Sequence, residues 1–323
     1  MKNENNIKDK TNKAYGNIRK IEDTLNERPF GRHRFKAAML MRKSILVGSL
    51  LNNAETMIKV TKTDIEKLEK PDEVFQKKLF KTNTKPAKAF CYLELGITPL
   101  RYVIMEKRLN FLKYILEQTP GTMIKEVYEE QKSQYKKGDF VDLVDKDKDE
   151  LKIKLKDSEI KDITKRKWKS LIKEKVKEKA LQDLVRENSL KNKTKHNLYE
   201  KLEMSEYLNS NRNTKLANII FAIRSGTLDI KEWNSWNYSD NLCLLCEVKE
   251  ETMEHFMECN NYGVKNKSIN WKDIYENDTN KQYEIAKEVQ ERMEKRYLAK
   301  QEAGLDSEPG SFAPTIVVEH YGL

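Results

Sequence analysis

The chain has 323 residues, 62 of them Lys or Arg and 52 Asp or Glu, which gives a formal net charge of +10. With 38% hydrophobic and 35% charged residues and a mean hydropathy of −0.83, it is polar for a globular protein, but not polar enough to be wholly disordered. The basic balance calls for an anionic partner, nucleic acid or a membrane surface; the plainer alternative is a lysine-rich protein with solvated faces.

This length suits one large domain or two to three small ones. Only 11 Gly and 7 Pro punctuate the chain, so long helices are favoured over many short strands and the predicted class is mainly α. The N-terminus MKNENNIKDK has no apolar signal core, and the longest apolar run, residues 45–51, is too short to span a bilayer. The sequence therefore predicts an intracellular protein, cytoplasmic and/or nuclear, with reduced thiols and no membrane partner.

In chain order, residues 1–33 are polar and weakly patterned and read as a leader. Residues 34–53 (RFKAAMLMRKSILVGSLLNN) are apolar nearly all round at helical spacing, as in a buried helix. A second helix follows, with Thr63 or Asp64 as cap, a stripe of Ile65, Leu68, Val74, Phe75 and Leu79, and Pro71 expected to kink or divide it. A third begins near Pro99 and should stop before Pro120-Gly121. These three blocks give residues 34–134 a compact helical core.

Residues 135–200 form a charged, basic connector. Residues 135–160 read as a loop with short helical or extended pieces. A long helix then sets Trp168, Leu171, Ile172, Val176, Ala180, Leu181, Leu184 and Val185 on one face and crowds the rest with lysine; residues 186–200 read as a polar linker. An amphipathic stretch, NTKLANIIFAIRSGTLDI, opens the segment 201–262. Residues 263–303 carry a solvated helix, and 304–323 a disordered tail.

The segment CLLCEVKEETMEHFMEC holds three of the four cysteines. Cys243 and Cys246 are spaced for a tight turn to aim both sulfurs at one point. If the second half is helical from near Thr252, His255 and Cys259 share one face, a turn apart. Four Cys and His donors suit tetrahedral zinc, and a set closed at four leaves no position for a substrate, so the predicted cofactor is a structural Zn(2+) ligated by Cys243, Cys246, His255 and Cys259. A disulfide would leave one cysteine over. Glu251, Glu254 and Glu258 read as solvated helix charges in preference to partners of the ligands. Cys91, alone in an apolar segment, reads as a small core residue, and His33, His196 and His320 as ordinary exposed residues.

This cysteine segment resembles the C-terminal zinc-binding segment of reverse transcriptases from non-LTR (LINE-type) retrotransposons, with Cys243, Cys246, Glu251, Thr252, His255 and Cys259 in matching places. FAIRSGTLDI resembles the arginine-containing segment before that knuckle. SILVGSLLNNAETMIKVTKTDIEKLEKPDEVFQKKLF followed by LELGITPLRYVIMEKRLNFLKYIL resembles the helical thumb that follows the polymerase palm. The resemblance covers about residues 15–300. It implies a thumb-like helical bundle over 34–134, a long basic helix and a small zinc knuckle near the C-terminus, with residues 1–33 a leader or palm remnant.

The aspartate pair that holds the catalytic metal ions in this family's palm is missing, since no Asp-Asp occurs in the chain. The acidic stretches DFVDLVDKDKDE and YSDN read as solvated loops. The chain as it stands is therefore expected to be no enzyme, but a non-catalytic portion that binds RNA and/or DNA, with the catalytic part of a reverse transcriptase as a further candidate partner. Lys165, Arg166, Lys167, Lys169, Lys173 and Arg224 are the candidate phosphate contacts. Trp233, Trp236 and Tyr238 could stack on unpaired bases, with Trp236 taken as the site residue; packing of these aromatics against the zinc module is the favoured alternative. Two other readings stay open: a helical module docking on another chain, and a decayed element fragment without selected function.

Overall fold

The computed structural model describes residues 4–27, 30, 33–82, 85–210, 213–263 and 269–304. Among these the architecture is mainly α. There is no strand, only a lone antiparallel bridge between Leu242 and Glu250. No described helix is long and apolar enough to cross a membrane.

The chain starts with α1 (Glu4–Glu27). It places Ile7, Ala14, Ile18, Ile21 and Leu25 in the core. Their spacing of three, four or seven residues keeps them on one stripe, and that stripe packs along α3 (Lys62–Phe80). Between them runs α2 (Arg34–Met41), which continues through a π-helical stretch, Arg42–Val47. Arg42 lies in that stretch and forms a buried two-point ion pair with Asp72 of α3, each bond 2.6 Å. Thr61, and neither Thr63 nor Asp64, caps α3: its hydroxyl accepts from the Asp64 N–H while the Asp64 carboxylate accepts from the Thr61 N–H. The helix runs through Pro71 without dividing. The ring is buried, and packing of the flanking turns outweighs the lost hydrogen bond.

The short helix α4 (Lys88–Leu95) is buried all round. Phe90, Cys91 and Leu95 enter one core, and Ala89, Tyr92 and Leu93 enter a second. The second core is built by α5 (Leu100–Leu116), α6 (Met123–Gln134), α7 (Phe140–Glu150), α8 (Asp157–Asp162) and α9 (Lys165–Ser189). The charged stretch before α9 is thus largely helical. Gly138 N–H and Lys146 both bind the Asp142 carboxylate in the first turn of α7, and Arg108 pairs with buried Asp147 at 2.7 Å, so these acids are fixed partners instead of a solvated loop.

On α9, Trp168, Ile172, Val176, Ala180 and Leu184 are buried against α4 and α5, and the Trp168 indole donates to the Leu109 carbonyl at 3.2 Å. Val185 turns to the surface. The stretch expected to be a polar linker is tied down: Asn188 and Asn197 both donate to the Thr194 carbonyl, and Asn197 also to that of Arg224.

The first core is completed by α10 (Glu206–Asn209), α11 (Thr214–Ser225), the cysteine loop with α12 (Met253–Glu258), and α13 (Thr279–Glu302). Helix α13 is not solvated all round. Tyr283, Ile285, Ala286 and Val289 pack toward α11, and Arg292 and Arg296 are buried further along. The predicted tail lies outside the described residues apart from Gly304.

Candidate metal centre

The four donors come from a loop and the helix after it. Cys243 N–H donates to the Lys249 carbonyl at 2.8 Å, and Glu251 N–H to that of Asn241 at 2.7 Å, which folds the chain back on itself. Glu247 N–H closes the Cys243–Cys246 turn on the Cys243 carbonyl, with Glu247 itself in the left-handed region at φ 56°. Thr252 caps α12 by accepting the His255 N–H at 3.1 Å, and Cys259 follows the last turn with its N–H on the His255 carbonyl. The helix expected from near Thr252 is present, and His255 and Cys259 are brought together across one turn.

The ligand atoms of Cys243, Cys246, His255 and Cys259 all lie within 4.8 Å of one another, and Cys246 Sγ is 3.2 Å from His255 Nε2. A tetrahedral ion bound at about 2.3 Å to sulfur and about 2.0 Å to nitrogen needs donors roughly 3.5–3.8 Å apart, so the group fits one with small adjustments. Cys243 and Cys259 are buried; Cys246 and His255 are half-buried. Burial pushes the Cys243 thiol up to about 11. At Cys246 desolvation works in the same direction, but the N–H groups of Val248 and Lys249 and the His255 imidazole outweigh it and hold the thiol down to about 6. The four groups form a site able to hold one metal ion, with every donor supplied by the protein.

The layer behind the donors leaves no mark in the sequence pattern. Glu251, expected to be a solvated charge, is 1% exposed. It accepts from Lys231 N–H at 2.8 Å, from the Tyr262 hydroxyl at 2.8 Å and from Arg296 at 3.0 and 2.9 Å. Tyr262 in turn places its hydroxyl 4.0 Å from Cys243 Sγ. Arg292 donates to the carbonyls of Phe256 and Cys259, at the C-terminal end of α12 where the helix leaves carbonyls without an intrahelical partner. Two arginines of α13 therefore bolt the loop and α12 to the body. Glu254 and Glu258 are exposed, as expected.

The candidate nucleic-acid residues separate into three groups. Arg224 is not available to a ligand: it is 4% exposed, donates twice to Glu94 of α4 at 3.1 and 2.9 Å, and reaches the Ile274 carbonyl at 2.9 Å. Its role is to tie α11 to α4. Lys165 is exposed but paired with Glu117 at 3.1 Å. Arg166, Lys167, Lys169 and Lys173 are exposed and have no ion-pair partner among the described residues. Lys177, beyond that set, shares this property, whereas Lys175 and Lys179 are paired with Glu178 and Asp183. Trp233 is half-buried on the first core, and Tyr238 is held by Asp229 and Arg296; Trp236 is exposed. Of the lone histidines, His33 and His196 are exposed, and His320 lies outside the described residues. Asp240, from the YSDN stretch, pairs with Lys231 at 2.7 Å.

Comparison with protein-family models, with curated proteins and with solved structures gave no match to this chain.

Proposed function

We propose that this chain is a zinc-stabilised, non-catalytic nucleic-acid-binding module, the thumb-and-knuckle portion of a reverse transcriptase of non-LTR type. The observation that carries the reading is the convergence of Cys243, Cys246, His255 and Cys259 on one centre. Three thiolates and an imidazole in a tetrahedral cage favour Zn(2+), and a cage filled by four protein donors has a structural role. Bound there, the ion supplies a cross-link between the 241–251 loop and α12. The protein's own residues supply the rest: Glu251 and Tyr262 orient the Cys243 side of the cage, and Arg292 and Arg296 hold it to α13.

The basic face of α9 supports the nucleic-acid part of the proposal. Arg166, Lys169, Lys173 and Lys177 succeed one another at spacings of three, four and four residues, which sets them on one side of the helix over about 16 Å. A row of unpaired cations on a rigid, core-packed helix suits a phosphate backbone and carries no base specificity.

The test is binding to labelled RNA and DNA across a salt series. The affinity should fall linearly with salt on a double-logarithmic plot. Changing all four residues to Gln should flatten that slope by about 0.7–0.9 for each phosphate that is no longer neutralised. No binding at low salt would end the reading. A docking role toward another protein is favoured by one observation, the exposed Leu40 and Ile45 on the α2 segment. It predicts instead a salt-insensitive complex with a protein partner and none with nucleic acid.

A further inference from the structure

Four tryptophans occur in the chain, and they are placed very differently. Trp168 is fully buried, and Trp233 and Trp271 are packed on the first core. Trp236 is 67% exposed, on a 3-10 turn, Ser235–Asn237. The turn itself is anchored by hydrogen bonds. Asn234 is buried and donates to the carbonyls of Leu228 and Ile230, Asn237 N–H returns to the Asn234 carbonyl, and Tyr238 donates its hydroxyl to Asp229. A turn so anchored does not need an indole at its tip, and displaying one to water gives up the burial that a tryptophan ordinarily contributes.

A cation is built over one face of the ring, which leaves the other face to a ligand. The Lys193 ammonium lies 5.6 Å from the Trp236 ring centroid, held by the carbonyls of Trp233 at 3.0 Å and Gly226 at 3.3 Å. Gly226 has φ 64°, and a Cβ there would meet the Lys193 stem at 2.8 Å, so only glycine lets the lysine pass. Lys191 and Lys195 flank it on a single hydrogen-bonded turn, both exposed, and no acidic residue occurs from 188 to 199. Glu232 is the carboxylate whose charge reaches Lys193, and its own oxygen is engaged by the Met253 N–H.

Resting on the nucleic-acid reading, we infer that Trp236 and the 191–195 turn form a platform for single-stranded nucleic acid, with an unpaired base stacked on the indole and the adjoining phosphates on Lys191, Lys193 and Lys195. An unpaired base offers its face to the ring, whereas a paired base in a duplex is covered by its neighbours on both sides. This site is separate in sequence from the α9 row, and it selects strand state where the row selects only charge.

The experiment compares a 20-nucleotide oligo-uridine and oligo-thymidine with a mixed-sequence duplex of equal length, on the full chain loaded with metal. Trp236→Ala should weaken single-strand binding roughly tenfold and leave duplex binding unchanged, Trp236→Phe should restore most of the loss, and metal content should be unaffected. Binding of the wild-type chain should also quench its tryptophan emission, and Trp236→Phe should remove that quenching. Single-strand affinity that survives Trp236→Ala overturns the platform alone, as does an equal loss on the duplex. If the wild-type chain binds neither probe at low salt, the parent reading falls and the platform with it.

Discussion

Along α9, nearly every fourth residue from Trp168 to Leu184 enters an apolar core, and the helix is placed by periodicity and burial. Around the Cys-His group Met253, Phe256 and Met257 are buried as well, but they share the interior with buried charges, Glu251, Arg292 and Arg296, and with the thiols of Cys243 and Cys259. One region can be assembled by non-directional packing of side chains. The other has to meet a directional pattern in which each buried charge needs its partner and the donors need an ion. The first should tolerate conservative change, and the second should fail when a single partner is removed.

Removing one donor is the harshest test of that contrast. Cys246→Ser should lose the metal and expose the backbone of residues 241–262 to hydrogen exchange, while protection in α5 and α9 stays near wild type. Structural Zn(2+) binding in small modules is worth about 10–16 kcal/mol, far more than a core side chain, so unfolding of that region is expected. Uniform loss of protection in both regions would erase the distinction between them.

A buried charge comes next. Arg224→Ala strands the Glu94 carboxylate and should cost about 3–5 kcal/mol in urea denaturation. In whatever fraction remains folded, nucleic-acid affinity should be unchanged, because Arg224 faces Glu94 and not the solvent. For comparison, Ile172→Ala in the α9 stripe should cost about 2–5 kcal/mol through its cavity, and Ile172→Val much less, by the tolerance expected of packing. The smallest effect concerns α7. Lys146, the Gly138 N–H and the Tyr135 hydroxyl hold Asp142 down to about 2, against an ordinary 3.8. The folded form binds this proton less readily than the unfolded chain, so the contribution is complete above about pH 4 and is lost as pH falls toward 2. Asp142→Asn should therefore be destabilising near neutrality, and its difference from wild type should shrink on acidification over that window.

The same contrast explains what the sequence discloses. The α9 face, the helix ahead of the cysteine loop and the Thr252-capped helix are legible, because local periodicity and capping chemistry determine them. Helix α1 is legible in principle: Ile7, Ala14, Ile18, Ile21 and Leu25 keep helical spacing, but the lysines and asparagines between them lower the hydropathy of every window. Helix α13 reads as solvated because Arg292 and Arg296 count as surface residues in any hydropathy pattern; apart from Glu288 one turn back, the partners that offset the cost of burying them, Glu251, Asp229, Tyr238 and the carbonyls of Phe256 and Cys259, are distant in sequence. Arg224 reads as a phosphate contact for the same reason, since its true partner, Glu94, lies 130 residues away. Long-range charge pairing leaves no periodic trace.

The decisive measurement is elemental analysis combined with X-ray absorption on the folded, purified chain. A structural zinc cage predicts one zinc per chain, coordinated by three sulfurs at about 2.3 Å and one nitrogen at about 2.0 Å. A folded chain that carries no metal, or a Cys246→Ser chain that retains the ion with unchanged coordination, would contradict it.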